Sequence, residues 1–100
     1  MSDVGEFAQL VARIKQFCAD RDWSQFHDPK NLAISLQLEA SEVLELFQWT
    51  KDNKIKKGKD SELPDELADV FYWTIMLANH YNINLLTALH NKMDRNELKY

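Results

Sequence analysis

Glycine and proline are scarce, with two of each in 100 residues. A β-rich chain needs many tight turns, so this scarcity points to long helices instead. Cysteine is almost absent. The single Cys18 excludes an intrachain disulfide and fits a reducing compartment. With no histidine or metal-like spacing beside it, it is expected to be a small helix residue and not a reactive thiol. There is no excess of positive charge: 12 Lys and Arg face 16 Asp and Glu, for a net charge of −4. A nucleic-acid polymer is therefore not the expected partner. No run approaches the roughly 20 apolar residues of a membrane span, and the N-terminal stretch lacks a signal-type apolar core. The expectation is a cytoplasmic protein with no membrane partner.

What is present is helical periodicity. Hydrophobic residues make up 45% and charged residues 28%, a balance that folds. Phe7, Leu10, Val11, Ile14, Phe17 and Cys18 recur at helical spacing, which predicts a first helix from about Asp3 to Asp20. Asp28 followed by Pro29 reads as an N-cap and first helical position. It opens a second helix expected to reach about Lys51. The polar, Lys-rich stretch KDNKIKKGKDSELP holds Gly58 and reads as a loop. Asp60 or Ser61 is placed to cap a third helix running to about Tyr81, with Pro64 tolerated in its first turn. Asn82 to Asn84 break the pattern and supply a cap for a fourth helix ending near Leu98. No repeat or linker divides the chain. The expected fold class is all-α, a single domain over residues 1–100 built as a four-helix bundle.

The second helix carries carboxylates in an unexpected place. At ~100° per residue, Leu32, Leu36, Ala40, Val43 and Phe47 form one apolar stripe. Glu39 falls inside its edge, between Leu32 and Leu46, and Glu42 follows one turn on near the same face. Glu45 points further round, toward solvent. The third helix repeats the arrangement: Glu66 falls between Trp73 and Leu77, and Asp69 lies one turn further. Each helix thus puts an acidic i, i+3 pair on or beside an apolar face. Carboxylates gathered away from water repel one another and need a positive partner. No Lys or Arg lies on these faces. A divalent cation with hard oxygen ligands meets the requirement, and Mg²⁺ suits a shell of carboxylates and water. A di-iron bundle would need Glu-x-x-His on two helices, and no His follows Glu at that spacing.

EASE (Glu39 to Glu42) followed by ELAD (Glu66 to Asp69) resembles the E-x-x-E … E-x-x-D pattern of the MazG-like nucleotide pyrophosphohydrolases, within the all-α NTP pyrophosphatase superfamily. RDWSQFHDPKNLA, ELFQW, DELADVFYW and KMDRNELKY extend the resemblance over roughly residues 5 to 100, closest to the deoxycytidine-triphosphate pyrophosphatase branch. The W-x-x-F-H and K-x-x-x-N-x-x-[KR]-Y segments stand in register with it. The resemblance implies Mg²⁺-dependent hydrolysis of a nucleoside triphosphate between the α and β phosphates, as nucleotide-pool house-cleaning. dCTP or modified pyrimidine deoxynucleotides are the implied substrates. Glu39, Glu42, Glu66 and Asp69 match the metal ligands and catalytic carboxylates. Lys92 and Asn96 match positions near the phosphates. Trp23, His27 and Trp49 match residues around the base, and Tyr72 is placed to line the same pocket. The branch can add a polar aromatic from helix one, where this chain has Ile14. The resemblance also implies a homo-oligomer, a dimer or tetramer, with sites made from more than one chain. Apolar residues on more than one face of helices three and four agree with that.

Two other readings stand beside this one. A non-enzymatic α-helical interaction protein would carry its acids as surface charges and its aromatics as interface anchors. A related pyrophosphohydrolase would act on another substrate, such as dUTP.

Overall fold

A computed structural model describes residues 3–23, 25 and 27–100. The order is α1 (Asp3–Asp20), α2 (Pro29–Glu45), α3 (Glu62–His80) and α4 (Leu85–Lys99). No strand occurs among the described residues.

The helix starts follow from side-chain caps. Asp28 adopts an extended backbone, and its Oδ1 accepts from the Asn31 N–H at 2.8 Å, with Pro29 next in the chain. Asn84 does the same for α4, accepting from the Thr87 N–H at 3.1 Å. Each side chain satisfies one of the donors that a helix start leaves open. Ser61 precedes α3 in a helical conformation and makes no side-chain cap. The chain winds in through turns instead, with Glu62 N–H on Lys59 O at 3.0 Å and Leu63 N–H on Asp60 O at 3.4 Å. Glu62 and Asp65 in the first turn favour this end of the helix dipole.

The second helix differs from expectation. It ends at Glu45 and does not continue to Lys51. The reason lies in the backbone partners beyond it. Phe47 N–H turns back to Leu44 O at 3.0 Å, and the Lys56 N–H arrives from the loop to donate to Leu46 O at 2.7 Å. Trp49, four residues past that end, takes a left-handed φ of 69°, which keeps the helix from resuming. The Leu46 carbonyl, which would have continued α2, is thus satisfied by the returning loop. At the other end of α3, Asn82 takes φ 56° and Ile83 N–H reaches back to Ala78 O at 2.9 Å, closing the helix with a left-handed residue.

The antiparallel α2–α3 pair forms the centre. Leu32 and Leu46 from its first arm, Ile75 and Ala78 from α3, and Cys18 from α1 are the buried apolar side chains. α1 docks through Phe7 on Phe71, ring centroids 6.1 Å apart, and through Cys18 Sγ at 3.3 Å from the Tyr72 hydroxyl. α4 buries no residue. The radius of gyration is 16.1 Å, against about 13 Å for a compact domain of this length. Leu38, Leu44, Leu67, Leu89 and Leu98 are all more than half exposed. No described helix is long and apolar enough to cross a membrane.

Candidate metal centre

The packing of α2 against α3 brings the two acidic pairs together. Glu39 and Glu42 from α2 and Glu66 and Asp69 from α3 each offer a carboxylate oxygen, and these atoms all lie within 4.8 Å of one another. Glu39 and Glu66 are half-buried, while Glu42 and Asp69 are exposed. The i, i+3 spacing sets this geometry, because residues three apart on a helix share a face.

The electrostatics are those of a site short of positive charge. Glu39 Oε2 and Glu66 Oε2 are shut off from solvent with no hydrogen-bond partner. A carboxyl–carboxyl hydrogen bond with Glu42, followed by burial and repulsion from Glu42, Asp69 and Glu39, pushes Glu66 up to about 7. Burial, then Glu42 and Asp69, raise Glu39 above the ordinary carboxylate range, while a hydrogen bond from the Trp73 indole pulls the other way. Among the described residues none of the four is paired with a Lys or Arg. Two orphaned oxygens within a cluster of four hard donors fit a divalent metal ion, whose charge would replace the missing proton or cation.

The helices carry no cation at this face, but the α2–α3 loop does. A cavity of about 360 Å³ is lined by Glu42, Glu45, Leu46, Lys56, Lys59 and Glu66, among others. Lys56 is half-buried, and Lys59 is tied to Glu62 at 3.0 Å. Glu45, expected in solvent, is exposed and borders this cavity. On the other side of the cluster, Asp69 borders a mainly apolar cavity of about 410 Å³ with Arg13, Ile14, Phe17 and Tyr72.

The aromatic residues divide. The His27 ring meets Trp73 edge-on at 5.9 Å, and its Nδ1 is buried without a partner. Tyr72 also meets Trp73 edge-on, at 5.0 Å, but its hydroxyl is turned toward Cys18. Burial and that thiol hold the Tyr72 pKa well above the usual phenol value. Trp23 packs edge-on against Phe17 at 5.4 Å and stays partly exposed. Trp49 is 86% exposed after the end of α2. Lys92 is exposed on α4 and Asn96 is half-buried. No α4 residue lines either cavity that the quartet borders. Phe26 of the W-x-x-F-H segment, with Ser24, lies outside the described residues.

Sequence reasoning missed Trp73 as a site residue, and it took Lys56 with the other lysines of its loop for a solvated stretch whose field could at most attract a triphosphate. Trp73 was legible, since it lies four residues past Asp69 on the same face of α3. Lys56 was not, because its place depends on the loop returning to Leu46.

The comparisons with known proteins follow this geometry. Residues 34–100 match the model of the MazG-like family. Proteins named dCTP pyrophosphatase 1 from Rattus norvegicus and Homo sapiens are each 38% identical over 90 residues, covering 85% of this chain and 53% of theirs. The chain thus spans about half the length of these curated relatives. The crystal structure of a pyrophosphatase from Archaeoglobus fulgidus superposes with a TM-score of 0.87 at 34% identity, covering 95% of this chain and 92% of that one. The family match includes all four residues of the quartet, and the fold agrees over nearly the whole chain: this protein belongs to the MazG-like family.

Proposed function

We propose that residues 1–100 form one MazG-like domain that hydrolyses nucleoside triphosphates to the monophosphate and pyrophosphate with Mg²⁺, and that dCTP or modified pyrimidine deoxynucleotides are its substrates. The observation that carries this is the quartet: four carboxylates from two helices within 4.8 Å, two with sealed, unpartnered oxygens. The dCTP pyrophosphatase name of the relatives supports the substrate class. Clearing unwanted nucleotides from a cytoplasmic pool is the role that fits it.

A triphosphate carries about four negative charges and is repelled by four carboxylates in the absence of metal. When bound, Mg²⁺ neutralises that charge and stabilises the charge developing at the α-phosphorus. Glu39, Glu42, Glu66 and Asp69 are the residues that would hold it. Water adds to the α-phosphorus, and a carboxylate, Glu39 or Glu42, takes one of its protons. The bond to the oxygen bridging the α and β phosphates breaks, and pyrophosphate leaves with that oxygen. Lys56 and Lys59 at one cavity, and Lys92 and Asn96 on α4, supply charge and donors for phosphate oxygens. His27 and Trp73, with Trp23, Trp49 and Tyr72, offer ring faces and edges to the base.

The exposed leucines and the unburied α4 support a homo-oligomer, a dimer or tetramer. In it a second copy would cover that apolar surface and complete the site. An interaction protein would share the exposed apolar surface but has no use for the quartet.

The test is pyrophosphate release from a panel of canonical and modified triphosphates, with Mg²⁺ and with EDTA, beside a Glu66→Gln variant. Mg²⁺-dependent release that the variant loses supports the reading. Folded protein that releases none from any triphosphate refutes it.

A further inference from the structure

The quartet accounts for the phosphates and leaves several cavities over, of which one stands out for its unpaired polar atoms. About 340 Å³ in volume, it opens among α1, α2 and α3, and Lys15, Cys18, His27, Leu32, Met76 and Asn79 are in its walls. Two of these side chains carry a nitrogen shut off from solvent with no hydrogen-bond partner, His27 Nδ1 and Asn79 Nδ2. Buried polar atoms are rarely left unpaired, because each forfeits its bonds to water. Two around one cavity mark a place where a ligand supplies the partners. Asn79 also borders a second cavity beside the turn before α4. The unpaired His27 nitrogen singles out the first.

This cavity joins the metal centre through Trp73, which meets the His27 ring at 5.9 Å and hydrogen-bonds toward Glu39. Asn79 follows Asp69 by ten residues on α3, a rise of ~15 Å. Helical side chains lean toward the N-terminus, which brings the Asn79 amide back toward the quartet. A nucleotide with its phosphates at the quartet and its base in this cavity would run along α3 past Trp73. Leu32 and Met76 offer apolar walls, and His27 an aromatic ring. The volume is at the small end of ligand pockets, which suits a one-ring base. An asparagine amide presents a donor and an acceptor in one plane, the pattern that pairs with a base edge.

We infer that Asn79 is a specificity-determining residue, whose side-chain amide hydrogen-bonds the edge of a pyrimidine base seated between His27 and Met76. The inference rests on the pyrophosphohydrolase reading. It extends that reading by naming the residue that tells one base from another.

The experiment compares kcat/KM for dCTP, dUTP, dTTP and dATP in the parent protein, Asn79→Leu and Asn79→Asp. The Leu variant removes both polar atoms at similar size. The Asp variant keeps the shape and removes the donor, so it serves if Leu does not fold. The shift in melting temperature on adding Mg²⁺ without nucleotide is measured alongside, to report on the metal centre. The expected result is a loss of about tenfold in the ratio between the preferred pyrimidine and the others, with the Mg²⁺ shift retained. Unchanged base ratios in a variant that still hydrolyses would overturn the inference and leave the pyrophosphohydrolase intact. A parent protein inactive on all four with Mg²⁺ overturns both.

Discussion

Glu66 is the residue on which protonation and metal binding meet. Its carboxyl is raised from an ordinary 4.5 to about 7, first by the carboxyl–carboxyl bond with Glu42. Between those values the folded metal-free protein holds a proton that the unfolded chain has released. Stability of the metal-free protein therefore falls as pH rises from about 4.5 to about 7. Glu39, also raised, acts in the same direction. Metal binding must displace these protons, so its affinity climbs over the same interval. Calorimetric melting at pH 5 and pH 8 should show the metal-free protein more stable at pH 5. The stabilisation gained on adding Mg²⁺ should be larger at pH 8. Glu66→Gln should weaken Mg²⁺ binding on the order of 100-fold or more, measured by titration calorimetry. Because a neutral amide relieves repulsion in the cluster, the metal-free variant should melt no lower than the parent. At this scale the sequence was informative: the i, i+3 acids on apolar stripes announce the quartet. The orphaned Asn79 amide was not legible, because nothing in the local pattern says which side chains lack partners.

At the scale of elements, all four helices form where their sequence signals place them, but α2 ends early and α3 starts without a side-chain cap. Asp28 and Asn84 cap α2 and α4 as their residue types predict. Asp28→Ala should cost about 1 kcal/mol in chemical denaturation and leave the affinity for Mg²⁺ unchanged, since Asp28 lies far from the quartet in sequence and faces the helix start. The early end of α2 escaped the sequence reading because no Gly or Pro marks it. The helix ends there because the loop returns, with Lys56 N–H on Leu46 O at 2.7 Å, a tertiary event that periodicity does not record. The same event sets Lys56 at the cavity beside Glu42 and Glu66. Lys56→Gln should raise KM for the triphosphate by about threefold to tenfold with little change in kcat. The difference should shrink at high salt, as for any charge acting near the surface. Steady-state kinetics at two ionic strengths check this.

At the scale of the molecule, the chain is under-buried. The radius of gyration is 16.1 Å, α4 has no buried residue, and Leu98 is 90% exposed. Sedimentation should give a mass that is a multiple of the 11.8 kDa chain, and the melting temperature should rise with protein concentration. The four-helix architecture was readable from composition and periodicity. The way α4 stands off the core was not, because an amphipathic helix looks alike whether its apolar face meets its own chain or another.

The account stands on the quartet acting at the α-phosphorus of a triphosphate, and phosphorus NMR of the products tests that most directly. With Mg²⁺ and dCTP, the spectrum should develop a monophosphate signal and a pyrophosphate signal in equal amounts, with no orthophosphate and no change when EDTA is present from the start. Orthophosphate with a diphosphate product would place the attack at the wrong phosphorus and contradict the account, as would an unchanged triphosphate in the presence of folded protein and Mg²⁺.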